Sequence, residues 1–294
     1  MGFDWLFFAE VTLAGLGSGA LLALTALAYV LIYKATKVVN LAIGEMLMMG
    51  AYLFFGLAAG YSLPIWVSIL LALIGGGILG AVIERAVIRR MLGESAISIF
   101  MVTIGLGSIM VGIVEIIWTP NPARLPDFMG TAPLFIGDAY VSRKIAISFA
   151  VASLLIVGFV LAFRYWRGGI ALRATATDQG AAFSCGINVP AVFSISWILA
   201  SVAAAGAGIL IGSVGGISPT MGVFGLSALV VVIVGGLDSI IGALIGGLIV
   251  GLLEAYAGTY IGGEYKLVTT FVLLLLILML RPYGLLGTGE IERL

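Results

Sequence analysis

Stretches of about twenty consecutive apolar residues recur along this whole chain, and that recurrence limits what it can fold into. A helix needs roughly 20 mostly apolar residues to cross a hydrocarbon core about 30 Å thick. Clear candidates occupy residues 11–33, 63–83, 96–118, 145–163, 191–213, 240–261 and 267–280. Two further stretches, 41–59 and 222–236, are interrupted by glycine or a charge; counted as crossings they bring the total to nine. If either is re-entrant, the count falls and part of the topology inverts. Composition agrees, with 62% hydrophobic and 10% charged residues among 294, where a soluble domain carries about 25% charge. The expected fold is an all-α integral membrane protein. It is a polytopic helix bundle in a single domain, residues 1–294, with about nine membrane segments that include broken or re-entrant helices.

The basic residues give an orientation, because cytoplasmic loops collect Lys and Arg. With nine crossings and the N-terminus outside, the cytoplasmic side receives Lys34, Lys37, Arg85, Arg89, Arg90, Arg164, Arg167, Arg173, Arg281 and Arg293. The outer side receives Arg124, Arg143, Lys144 and Lys266, so the division is ten against four. The C-terminus is therefore expected in the cytoplasm. The first ten residues hold Asp4 and Glu10 but no Lys or Arg, so the first apolar run is expected to be a retained span and not a cleaved signal.

Several chemistries are set aside by what the chain lacks. Formal net charge is zero, which offers nucleic acid no basic surface. Histidine is absent and Cys185 is the single cysteine, which removes the usual general base and most metal-binding patterns. A phosphate-binding loop needs Gly-Lys-Ser/Thr, whereas the four lysines follow Tyr, Thr, Arg and Tyr. The chain is not expected to be an enzyme or to hydrolyse ATP. No cofactor is expected in it, and any ATP and magnesium belong to partner subunits.

Two loops exceed a simple turn. Residues 119–142, outside in this topology, contain Pro120, Pro122, Pro126 and Pro133, which disfavours a regular helix. Residues 164–190 form the longest cytoplasmic segment, and good helix formers over 171–182 predict a short helix lying at that surface. Glycines recur at four-residue spacing inside spans, as Gly15/Gly19, Gly76/Gly80, Gly208/Gly212, Gly242/Gly246 and Gly247/Gly251. Small residues one turn apart let helices approach closely in lipid. Tight packing accounts for most pairs, and sliding helices are an alternative for a few.

Charges within spans are costly and therefore candidates for function. Glu45, in Asn40-Leu-Ala-Ile-Gly44-Glu45-Met46, follows a polar residue and a flexible glycine at a helix start. Such an interrupted start can offer backbone N–H groups to an anionic substrate group. Alternatively Glu45 snorkels or pairs with Lys34 or Lys37. Glu115 and Glu254 lie near outer helix ends and read as headgroup-level carboxylates. Glu84 reads as an ion pair with its neighbour Arg85. A second interruption, Gly215 to Gly222 with Pro219 inside it, either forms an ordinary outside loop or lines the path; the residues favour the loop.

At these positions the sequence resembles the membrane subunits of branched-chain amino acid importers, within the hydrophobic amino acid and urea group of ABC permeases. Three stretches carry the likeness. They are Gly15–Tyr33 leading to Val39-Asn40-Leu-Ala-Ile-Gly44-Glu45-Met46, then Ile83-Glu84-Arg85 with Arg89 and Arg90, and finally Leu172-Arg173-Ala174 through Asp178 and Ala182 to Gly186-Ile187-Asn188. The resemblance implies a permease domain with Asn40, Gly44 and Glu45 in the substrate pathway. It also implies a coupling segment at about 164–190 that seats in an ATPase subunit, using Arg173, Ala174, Asp178, Gly186 and Asn188. The implied partners are two ATP-binding cassette subunits, a second similar or identical permease and a periplasmic or extracellular binding protein, in a bacterial inner membrane. Ile43 stands where the family motif often has histidine, which leaves the cargo open between branched-chain amino acids and urea, short amides or other small solutes. An ion-coupled secondary transporter is the alternative from a different class.

Overall fold

The computed structural model describes residues 4–91 and 93–287, so Arg293 of the charge count lies outside the described residues. Seven helices are long and apolar enough to cross a membrane, and two shorter apolar helices accompany them, all among the described residues. The nine expected segments are therefore all helical, but they are not equal in length. The 222–236 stretch and the last one, expected as a clear span, form the two short helices Pro219–Gly235 and Tyr265–Leu280.

The first helix, α1 (Trp5–Thr36), opens where the Asp4 carboxylate accepts from the backbone N–H groups of Leu6 and Phe7. Then come α2 (Ile43–Phe55), α3 (Ile65–Ala86) and α4 (Ala96–Ile117). The proline-rich loop forms no helix. Its β1 (Leu134–Ile136) and β2 (Ala139–Val141) pair as an antiparallel hairpin, and Ala123 bridges to Ile217. The second half comprises α5 (Arg143–Tyr165), α6 (Arg167–Thr177), α7 (Gln179–Ser184), α8 (Val189–Gly215), α9 (Phe224–Gly235), α10 (Ile240–Tyr256) and α11 (Tyr265–Leu280).

The core forms around α1, which packs against α5, α8, α9 and α10. Every glycine pair singled out above sits at a close contact, with α1 or between other helices of the bundle. A methyl group on Gly19 would lie 2.8 Å from the carbonyl oxygen of Gly247, and one on Gly76 would lie 2.7 Å from Ala205 Cβ. Apolar side chains gain nothing by leaving lipid for a protein interior. Close backbone approach is what small residues contribute here. The bulky side chains go outward, with Leu154, Val157 and Leu161 of α5 and Leu275, Leu276 and Met279 of α11 all exposed.

Candidate functional site

Two helices begin inside the bundle instead of at its surface. After α1 the chain turns at Lys37, in left-handed conformation at φ 57°, and runs back before α2 starts. Tyr29, on α1, donates a 3.0 Å hydrogen bond to the carbonyl of Gly225 in the first turn of α9, and Gly225 abuts Gly44 at the start of α2. Tyr29 lies seven residues before the end of α1, so this junction is about 10 Å inside at roughly 1.5 Å per residue. The α2 and α9 N-termini meet there.

The junction needs glycine on both sides. A methyl on Gly44 would run into the Gly222 carbonyl, and one on Gly225 would lie 2.6 Å from the Cα of Gly44. Residues Pro219–Val223 form a tight helical turn that reaches this level, with Met221 and Gly222 buried. The expectation of an ordinary outside loop over 215–222 is thus corrected. Irregular backbone at this level is tolerated where it is buried in protein or lines a wet path, and Ile217, Met221 and Gly222 are buried while Thr220 and Val223 are exposed.

Asn40 is buried and shapes the turn into α2. Its Oδ1 accepts from the Ala42 N–H at 3.0 Å, while the Leu41 N–H donates to Thr103 Oγ1 of α4 at 3.2 Å. Glu45 is half-buried and occupies the gap left by two glycines. Methyl groups on Gly107 and Gly222 would lie 3.2 Å and 2.9 Å from its two carboxylate oxygens. It forms no ion pair among the described residues. The suggested pairing with Lys34 or Lys37 does not occur, for these lie over the Phe163 and Tyr33 rings, 5.5 Å and 5.4 Å from the centroids. Gly107, which Glu45 meets, is on the buried side of α4, whereas Ile104, Ile109 and Ile113 of that helix face away from the bundle. A carboxylate at such depth requires water or a polar partner.

The other carboxylates resolve differently. Glu254 accepts from Thr270 Oγ1 at 2.9 Å and shares a cavity of about 470 Å³ with Glu10 and Lys266, while Glu115 is exposed. Glu84 is buried, and its partner is Arg89, bonded at 2.9 and 3.0 Å, in place of the expected Arg85. Adjacent helical residues point about 100° apart, whereas the turn Ile88–Met91 brings Arg89 back. Ser194 donates to Glu84 at 2.9 Å, and Arg89 reaches the Pro190 carbonyl at 3.2 Å. This cluster ties the end of α3 to the start of α8.

The 164–190 segment lies beside that cluster and forms two short helices, not the single helix expected over 171–182. Asp178 separates them in extended conformation (φ −156°), and its carboxylate accepts from the Ala181 N–H at 3.0 Å to cap α7. Arg173 folds back, donating to the Phe163 carbonyl and, at 3.4 Å, to that of Arg164. It thereby closes the C-terminal end of α5. Ala174 packs on the core, Gly186 turns the chain at φ 82°, and Asn188 caps α8 through the Ala191 N–H at 3.1 Å. Cys185 is exposed just after α7. The residue that sequence reasoning missed is Phe183, 70% exposed on α7. Its signal was one large apolar side chain within a polar stretch.

A family model described as "Branched-chain amino acid transport system / permease component" matches residues 11–280. The chain is 30% identical over 310 residues, covering all of both chains, to the high-affinity branched-chain amino acid transport system permease protein LivH of Salmonella typhimurium. It is also 30% identical over 293 residues to the corresponding protein BraD of Pseudomonas aeruginosa, covering 95% of each. In fold it resembles a chain of PsaBC from Streptococcus pneumoniae in complex with Fab, at TM-score 0.51 and 12% identity over 93% of this chain and 91% of that one. The chain therefore belongs to the permease component family of branched-chain amino acid transport systems.

Proposed function

We propose that this chain is the membrane subunit of a binding-protein-dependent importer of branched-chain amino acids, driven by ATP hydrolysis on separate subunits. The observation that carries this reading is likeness over the entire length of LivH. Two ATPase subunits dock beneath, a binding protein delivers cargo from outside, and a second similar or identical permease covers the open α4 face. The N-terminus lies outside and residues 164–190 in the cytoplasm, by the charge asymmetry of the loops.

In this reading Asn40, Gly44 and Glu45 line the pathway. Asn40 holds the turn, Gly44 permits the two helix starts to touch, and Glu45 presents a carboxylate at their junction. The coupling segment docks as one shaped unit. Arg173, Asp178, Gly186 and Asn188 hold its form, Ala174 seats it on the core, and Phe183 meets the ATPase.

The test is reconstitution with the neighbouring ATPase and binding-protein subunits, followed by ATP-dependent uptake of labelled leucine. Uptake that needs the binding protein supports the reading. Uptake independent of ATP and of partners overturns it. ATPase stimulation by the binding protein without leucine uptake keeps the machine and moves the cargo to another small solute.

A further inference from the structure

A cavity of about 330 Å³ opens at the coupling end, between the last turns of α1 and α5, the helix α6 and the first turn of α10. Its polar lining is unbalanced. Lys34, Arg164 and Arg173 share it with one carboxylate, Asp238, which leaves two positive charges in excess. The Arg173 guanidinium is held against the carbonyls that end α5, so the negative end of that helix is already answered. The first turn of α10, capped by Ser239 at 2.9 Å, adds the positive end of a 17-residue helix. The remaining wall is apolar. Val160 and Phe163 of α5 and Ile241 of α10 line it, and Ile241 is 60% exposed on the outside of the bundle.

We infer that this cavity binds the headgroup of an anionic phospholipid, with the phosphate between Lys34 and Arg164 and the acyl chains along α5 and α10. Basic pockets between spanning helices on the cytoplasmic side bind such headgroups. Free phosphate would satisfy the charge but would leave the apolar wall uncovered, and that wall decides for a lipid. The inference requires that the chain spans a membrane and is independent of the cargo. It has a mechanical consequence, because the headgroup would join the coupling segment to α1 and to the turn between α9 and α10. The α9 helix leads directly from that turn to the Glu45 junction.

The experiment uses the complex of this chain with its ATPase and binding-protein partners, in nanodiscs of phosphatidylcholine with or without phosphatidylglycerol. Native mass spectrometry counts the phosphatidylglycerol retained by the wild type, Lys34→Gln, Arg164→Gln and the double variant. The expected result is stoichiometric retention by the wild type and roughly thirtyfold weaker retention by the double variant, at about 1 kcal/mol per basic contact. Lys34→Arg should restore it. Gel filtration and thermal unfolding of each variant separate lost binding from lost folding. Equal retention by wild type and double variant overturns the inference. Displacement of the lipid by millimolar inorganic phosphate would instead assign the pocket to a soluble anion. Retention by the isolated chain but not by the complex would assign it to the ATPase interface; either result overturns the lipid.

Discussion

The first and fifth helices have similar apolar character and opposite fates. α1 has a mean hydropathy of 1.9 over its most apolar window, and 89% of that window is buried; for α5 the values are 2.7 and 17%. The helix with the more hydrophobic window lies outside. In water the order would be reversed, since burial follows apolar area. In lipid that driving force is spent on insertion, and what remains is packing. α1 packs because Gly15, Gly19 and Ala23 let α10 come within backbone contact. α5 presents Leu154 and Leu161 outward, where this chain does not cover them.

Four substitutions test this contrast. The largest effect belongs to Gly247→Leu, because a side chain there meets Ala23 Cβ at 2.7 Å and the Gly19 carbonyl at 2.8 Å. Overpacking of backbone against backbone should cost about 3 kcal/mol or more, seen as loss of monodisperse protein on gel filtration. Next comes Arg89→Ala, which strands the buried Glu84 carboxylate between α3 and α8. About 3 kcal/mol of destabilisation is expected, and Glu84→Gln in the same background should recover part of the lost thermal stability.

Asp178→Ala acts where the outer α5 leads into the coupling segment. It removes the cap of α7 at about 1 kcal/mol, so amide exchange over 179–184 should accelerate roughly fivefold while the melting temperature stays within about a degree or two. The smallest effect is Gly158→Leu on α5, where an added Cβ meets nothing within 4 Å. A change within about 0.5 kcal/mol is expected. If Gly158→Leu were as damaging as Gly247→Leu, the α5 face would be a protein interface and not a lipid surface.

Much of the junction was legible in the sequence, though not its assembly. Asn40, Gly44 and Glu45 stood out because a polar residue, a glycine and a charge interrupt an apolar run. That Gly222 and Gly225 come from 180 residues away to complete the site was not legible, since contact between two helix starts leaves no local pattern. The 215–222 stretch looked like a loop because Pro219 and its glycines break a helix equally well at a surface or in a core. Glu84 was recognised as paired but assigned to Arg85, because the turn that returns Arg89 lies beyond the helix end. In the coupling segment, the residues carried by the family resemblance proved to hold local geometry, and each makes its contact within a few residues or with the neighbouring helix end.

The sequence by itself determined that the chain inserts in a membrane, about how many apolar segments it has, and which helices carry small-residue faces that permit close approach. Each of these depends on local quantities, namely the length of an apolar run, the scarcity of charge and the spacing of small residues. Only the tertiary structure decided which helices are long and which start inside the bundle, which carboxylate sits between Gly107 and Gly222, and which cations gather at one cavity. Those outcomes follow from which backbones meet across the bundle. In lipid that choice is made by shape, because hydrophobicity no longer distinguishes inside from outside.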